Sequence, residues 1–269
     1  MLAVINQKGG VGKTTTVINL ASALSILGQN NLVIDLDPQG NATTGLGRSN
    51  NDVERNIYNL LIKKAKIDEV IQKTDIKGLD IIGSNVNLSG LEVETANDPN
   101  RAFLLKEIIA NNSDLLSKYD NIFIDCPPSL SLLTIMALVC SNELLVPLQT
   151  EFFALEGVSQ LVKTIERVKV KLNPKLNMRG ILLTMFDKRN KLSSQVDKEA
   201  REHFKEKVYK TVIPRNVRLS EAPSHGLPCV IYDKTCLGSI SYFDLAKEFM
   251  SQKNNNIGST AWMMLKKKV

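Results

Sequence analysis

Short runs of apolar, often β-branched residues alternate along the chain with longer stretches of helical periodicity. The short runs predict strands at 2–6, 31–36, 79–83, 121–126, 143–148, 179–185 and 207–213. The longer stretches predict helices at 14–28, 54–73, 101–118, 129–141, 153–172, 193–205 and 240–252. Most strand runs are apolar at nearly every position, as in strands covered on both faces. Regular strand–helix alternation therefore predicts an α/β fold. Its sheet is doubly wound and mostly parallel, with helices on both faces and right-handed crossovers. Ligands of such sheets bind beyond the carboxyl ends of the strands. The polar segment 84–98 reads as a short helix with loops, and no internal repeat is visible.

Length and composition refine this picture modestly. A chain of 269 residues fits one large α/β domain better than two small ones. Residues 1–252 read as that single domain, and 253–269 as a flexible, polar and basic tail. Hydrophobic residues make up 43% and aromatics only 5%, so the core must be mainly aliphatic. The net charge of +6 suits a polyanionic partner, but four lysines of residues 251–269 supply most of it. DNA binding therefore needs separate support. Cys126, Cys140, Cys229 and Cys236 match no zinc or redox spacing and read as reduced thiols. No signal-peptide pattern opens the chain, and no apolar run approaches the roughly 20 residues that span a bilayer. A soluble, cytoplasmic protein is expected.

The first strand runs into Lys8-Gly9-Gly10-Val11-Gly12-Lys13-Thr14-Thr15, which then opens a helix. This is the context of a phosphate loop. Glycines let backbone amides crowd against phosphate oxygens, and the helix start offers free amides and a positive dipole end. Lys13 can reach the β- and γ-phosphates, and the Thr14 hydroxyl can bind Mg2+. Where the ordinary pattern opens with glycine, this chain has Gln7, followed by a second lysine, Lys8. The second strand ends Asp35-Leu36-Asp37-Pro38-Gln39-Gly40-Asn41, which places Asp37 beside the phosphate loop or makes it a cap of the following turn. The run 121–126 closes on Asp125 before Cys126-Pro127-Pro128, the pattern of a Walker B carboxylate that holds Mg2+ through water.

The sequence KGGVGKTT is a deviant Walker A motif and resembles the ParA/MinD superfamily of dimerising, P-loop NTPase-type ATPases. The DLDPQGN segment at 35–41 and PRNVRLSEAPSHG at 214–226 are similar to the ParA/Soj branch. The resemblance covers residues 1 to about 250. It implies ATP and Mg2+ as cofactors and slow ATP hydrolysis. Lys8 would reach a partner copy's phosphates, Asp37 would orient the attacking water, and Pro214 and Asn216 would contact adenine. Met185 could pack on the ring. Arg189 and Arg218 would meet DNA phosphates without reading sequence, unless they form only a solvated cationic rim. The implied partners are a second copy in the ATP state, non-specific double-stranded DNA at the nucleoid, and a ParB-like activator. A MinD-like membrane switch is the alternative, since Trp262, Met263, Met264 and Leu265 stand beside three lysines. That apolar stretch is short, which argues against a membrane partner.

Overall fold

The structure is a computed structural model that describes the backbone of all residues except 50, 53, 152–153 and 267–269, and the side chains of those outside 154–156 and 253–266 as well. Its centre is a seven-stranded sheet made of β1 (Leu2–Val4), β2 (Asn31–Asp35), β3 (Ile71–Lys73), β4 (Leu79–Ile82), β5 (Asn121–Asp125), β6 (Glu143–Gln149) and β7 (Asn177–Thr184). The order is β3-β4-β2-β5-β1-β6-β7. Every neighbouring pair is parallel except β3 with β4.

Side-chain alternation splits the core into two layers. Leu2, Val4, Val33, Phe123, Leu145 and Leu182 face one way, against α1 (Lys13–Ile26) and the helix Leu237–Lys266. Ala3, Ile34, Ile122, Ile124, Leu144 and Leu183 face the other, where they pack with Met136, Leu161 and Ile165 of further helices. Both faces are thus covered, which accounts for the nearly unbroken apolar runs.

Several expectations need correction. The stretch 207–213 is no strand. Tyr209 and Ile213 donate their amides to Ile181 and Leu183 of β7, so four steps along one segment match two along the other. That mismatch leaves only isolated bridges at Val208 and Pro214. The expected helix 54–73 is also broken. Asn56 caps a short helix, Ile57–Leu61, and Lys63 turns into the left-handed region at φ 61°. A second turn, Ile67–Val70, follows before the chain becomes the antiparallel edge strand β3. The helix expected at 240–252 runs Leu237–Lys266, through the segment read as a tail. The side chains of Trp262 and its apolar and basic neighbours lie outside the described residues.

Candidate functional site

Sheet order sets the site. The chain leaves β1 between β5 and β6, so the turn after β1 rises over a switch point where ligands of doubly wound sheets bind. Gly10 and Gly12 take positive φ of 73° and 88°, which side chains other than glycine rarely adopt. Gly12 hands the chain to α1 with no side-chain cap. The first-turn amides of Lys13, Thr14 and Thr15 therefore have no partner within the helix. Asn6 braces the turn, its side chain accepting from the Lys8 amide at 3.0 Å and donating to the Pro147 carbonyl at 2.7 Å. Thr184 Oγ1 donates to the Val11 carbonyl at 2.8 Å, tying the loop to the end of β7.

Lys13 is buried, and its Nζ donates to the Lys8 carbonyl at 3.0 Å. Burial lowers its pKa, while Asp125, Cys126 and Asp37 act in the opposite sense. Lys8 points elsewhere. Its side chain is 54% exposed and forms an ion pair with Glu151, just past β6. The structure thus separates the two lysines of the motif, one inside the loop and one at its rim.

The carboxylates gather by register. Asp35 and Asp125 are paired residues at the ends of β2 and β5, and both are fully buried. Asp35 is satisfied: it accepts from the Asp37 amide at 3.2 Å, the Thr43 amide at 2.8 Å and Thr43 Oγ1 at 2.7 Å. Burial nonetheless pushes its pKa to about 6. Asp125 is different, because neither oxygen has a hydrogen-bond partner of acceptable geometry. Burial pushes its pKa well up, the Asp35 charge adds to this, and the nearby Thr14 hydroxyl offsets part of it. A buried carboxylate without a partner is costly. A cation held there, directly or through water, would relieve that cost, so the donor set fits Mg2+.

Asp37 lies beyond the end of β2, in the loop, and is buried at the same site. Its Oδ1 accepts from the Gln39 amide at 3.0 Å, so it does cap the following turn. Asp35 is the residue that sequence reasoning left without a role. It pins both ends of the loop carrying Asp37, and its position two residues before Asp37 is the signal that could have found it.

On the other side of the phosphate loop, a cavity of about 110 Å³ is lined by Gly12, Thr15, Met185, Pro214, Asn216 and Tyr242, among others. The structure thus brings together all three residues expected at the base. Met185 sits at φ 51°, an uncommon backbone for a non-glycine residue. Asn216 caps the helix Val217–Glu221 by accepting from the Arg218 amide. Tyr242 was not anticipated. It comes from the last helix, and its hydroxyl lies 3.2 Å from Thr16 Oγ1 on α1.

Arg189 and Arg218 stand at the rim. Arg189 is 91% exposed and pairs with Asp187, while Arg218 pairs with Glu221 at 2.6 Å and Asp233 at 3.5 Å. Exposed, solvent-screened pairs of this kind contribute little to stability. Both guanidinium groups are therefore cheaply released to another anion. No helix among the described residues is long and apolar enough to cross a membrane.

An AAA domain family model matches residues 1–178. The chain is 48% identical over 264 residues to the chromosome partitioning protein ParA of Caulobacter vibrioides, covering 97% of each. It is 48% identical over 248 residues to the sporulation initiation inhibitor protein Soj of Bacillus subtilis, covering 92% of this chain and 97% of Soj. Its fold is similar to cobyrinic acid a,c-diamide synthase of Mycobacterium smegmatis with bound ADP and magnesium, at a TM-score of 0.82, 32% identity and 95% coverage of both chains. With whole-length similarity to ParA and Soj, and with a glycine-rich loop and paired strand-end aspartates in place, the chain belongs to the ParA/Soj family of chromosome-partitioning ATPases.

Proposed function

We propose that this chain is a nucleotide-dependent switch that binds ATP, pairs with a second copy, grips DNA without reading its sequence and lets go on hydrolysis. The observation that carries the reading is Asp125, buried without a partner beside Lys13 and Thr14 at the start of α1. That arrangement is hard to explain by stability alone.

Residues 9–15 would wrap the phosphates with their amides, and Lys13 would supply a positive charge to the β- and γ-phosphates. Thr14, with Asp125 acting through water, would hold Mg2+, whose chemistry is to neutralise charge on the phosphate oxygens. Asp37 would leave its turn contact and orient the attacking water. Lys8 would exchange Glu151 for the phosphates of the opposing copy, making the nucleotide part of the interface. Met185, Pro214 and Asn216 would take the base.

Arg189 and Arg218 would meet DNA phosphates. Two copies joined by ATP double the number of such contacts and add avidity, so DNA is gripped mainly in the ATP state. A ParB-like partner would accelerate a slow intrinsic hydrolysis, and the protein would collect at the nucleoid. Residues 1–252 would suffice for the ATPase unit, with 253–269 as an appendage.

DNA retardation with ATP, with ADP and without nucleotide, across a salt series, tests this reading. It predicts retardation only with ATP, on unrelated sequences alike, with affinity falling steeply as salt rises. Equal retardation in all three states, or preference for one sequence, would contradict it.

A further inference from the structure

Cys229 and Cys236 looked unrelated in the sequence, yet the fold brings their sulfurs to 3.5 Å. Cys229 opens the short helix Cys229–Tyr232 and is fully buried. Cys236 immediately precedes the helix Leu237–Lys266 and is partly exposed. Ser239 completes a closed cluster. Its hydroxyl donates to the Cys229 sulfur at 3.3 Å and lies 3.4 Å from the Cys236 sulfur, to which its amide also donates. The loop between the cysteines is already drawn shut, since one Asp233 oxygen accepts from the amides of both Thr235 and Cys236.

We propose that Cys229 and Cys236 form a reversible dithiol–disulfide site that exchanges with a small-molecule disulfide. A disulfide needs sulfurs about 2.05 Å apart, so closure asks for a movement of roughly 1.5 Å within a short loop. Burial pushes the Cys229 thiol up to about 12, which leaves the more exposed Cys236 as the attacking group. The Ser239 amide, at the start of the last helix, donates to the Cys236 sulfur at 3.4 Å and holds it toward Cys229. That thiolate attacks one sulfur of the external disulfide and expels the first external thiolate. Cys229 then attacks the Cys236 sulfur of the mixed disulfide and expels the second. The two protons of the protein thiols end on the two departing thiols. The protein pair is oxidised by two electrons, and the external disulfide is reduced by the same two.

The site is placed to be felt. The Cys229–Tyr232 helix is tied to α1 through the Val230 amide, which donates to Asn19 at 3.2 Å. Asp233, inside the loop, is also a partner of Arg218 at the rim. Oxidation would join this segment covalently to the head of the last helix.

The test uses the full chain equilibrated in mixtures of reduced and oxidised glutathione, acid-quenched, alkylated and mapped by peptide mass. The expected product is one intramolecular link between the peptides bearing Cys229 and Cys236, with Cys126 and Cys140 alkylated. Free thiols would fall from four to two in the unfolded, quenched sample. Cys229→Ser should accumulate glutathione on Cys236, and Cys236→Ser should leave Cys229 unmodified. A mixed disulfide persisting on wild-type Cys236, a link to any other cysteine, or four free thiols in the most oxidising mixture would overturn the proposal.

Discussion

Asp125 shows how a single side chain can be poor for the fold and right for the site. Its two oxygens are buried without partners, next to a second buried aspartate. Asp125→Asn removes the charge at nearly constant shape. The nucleotide-free variant is expected to gain about 1–3 kcal/mol. In a chain of this size that raises the melting temperature by roughly 2–4 °C per kcal/mol. The added stabilisation by ATP with Mg2+ should vanish, and thermal unfolding with and without them checks both halves. Lys13→Ala should weaken ATP binding at least about tenfold, as titration calorimetry would measure, since it removes a charged hydrogen-bond donor from the loop. Asp37→Ala should keep ATP but slow hydrolysis by at least about a hundredfold in a phosphate-release assay. Hydrolysis at the wild-type rate would remove Asp37 from the chemistry.

The elements explain why some of this was legible beforehand. The phosphate loop and the two strand-end aspartates could be read because glycines, a lysine and apolar runs occur at fixed spacing. Their convergence follows from one parallel register, Asp35 with Asp125 and Val4 with Asp125. The cavity residues Met185, Pro214 and Asn216 were legible only through resemblance. Tyr242, which lines the same cavity, was not, because it arrives from a helix far along the chain. The segment 207–213 looked like a strand because of Val208, Tyr209, Val212 and Ile213, but Val208, Tyr209 and Ile213 are buried by bulging along β7 rather than by pairing with it. Edge strand β3 was missed because three residues carry too little pattern.

One contact between elements joins the loop after β2 to the rim. Gly226, at φ 66°, closes the turn Ala222–His225, and a side chain added there would meet Gly47 Cα at 3.3 Å. Gly47 follows the helix Asn41–Gly45, whose Thr43 is held by Asp35. Gly226→Ala should therefore cost about 1–2 kcal/mol from its left-handed backbone alone. Urea unfolding would show a lower midpoint with an unchanged slope. An unchanged midpoint would mean that the turn relaxes freely and that the contact is not held tightly.

The molecule as a whole is one sheet carrying nucleotide chemistry at its centre and exposed cations at its margin. The parallel architecture was legible from alternation alone, since only a sheet covered on both faces uses strands apolar throughout. The surface was less legible, because charge on a chain does not say which arginines share an edge or which carboxylates already pair with them. Arg189→Glu with Arg218→Glu should weaken DNA binding more than about tenfold and flatten its salt dependence, with ATP affinity nearly unchanged. Filter binding at two salt concentrations separates that outcome from general loss of folding.

In the proposed cycle ATP joins two copies through Lys8, which otherwise pairs with Glu151 at the loop rim. Light scattering on Asp37→Ala, loaded with ATP and Mg2+, measures this directly. The predicted mass is that of a dimer with ATP and of a monomer with ADP, and adding Lys8→Ala should return the ATP form to a monomer. A monomer with ATP at every concentration, or a dimer indifferent to Lys8, would contradict the account.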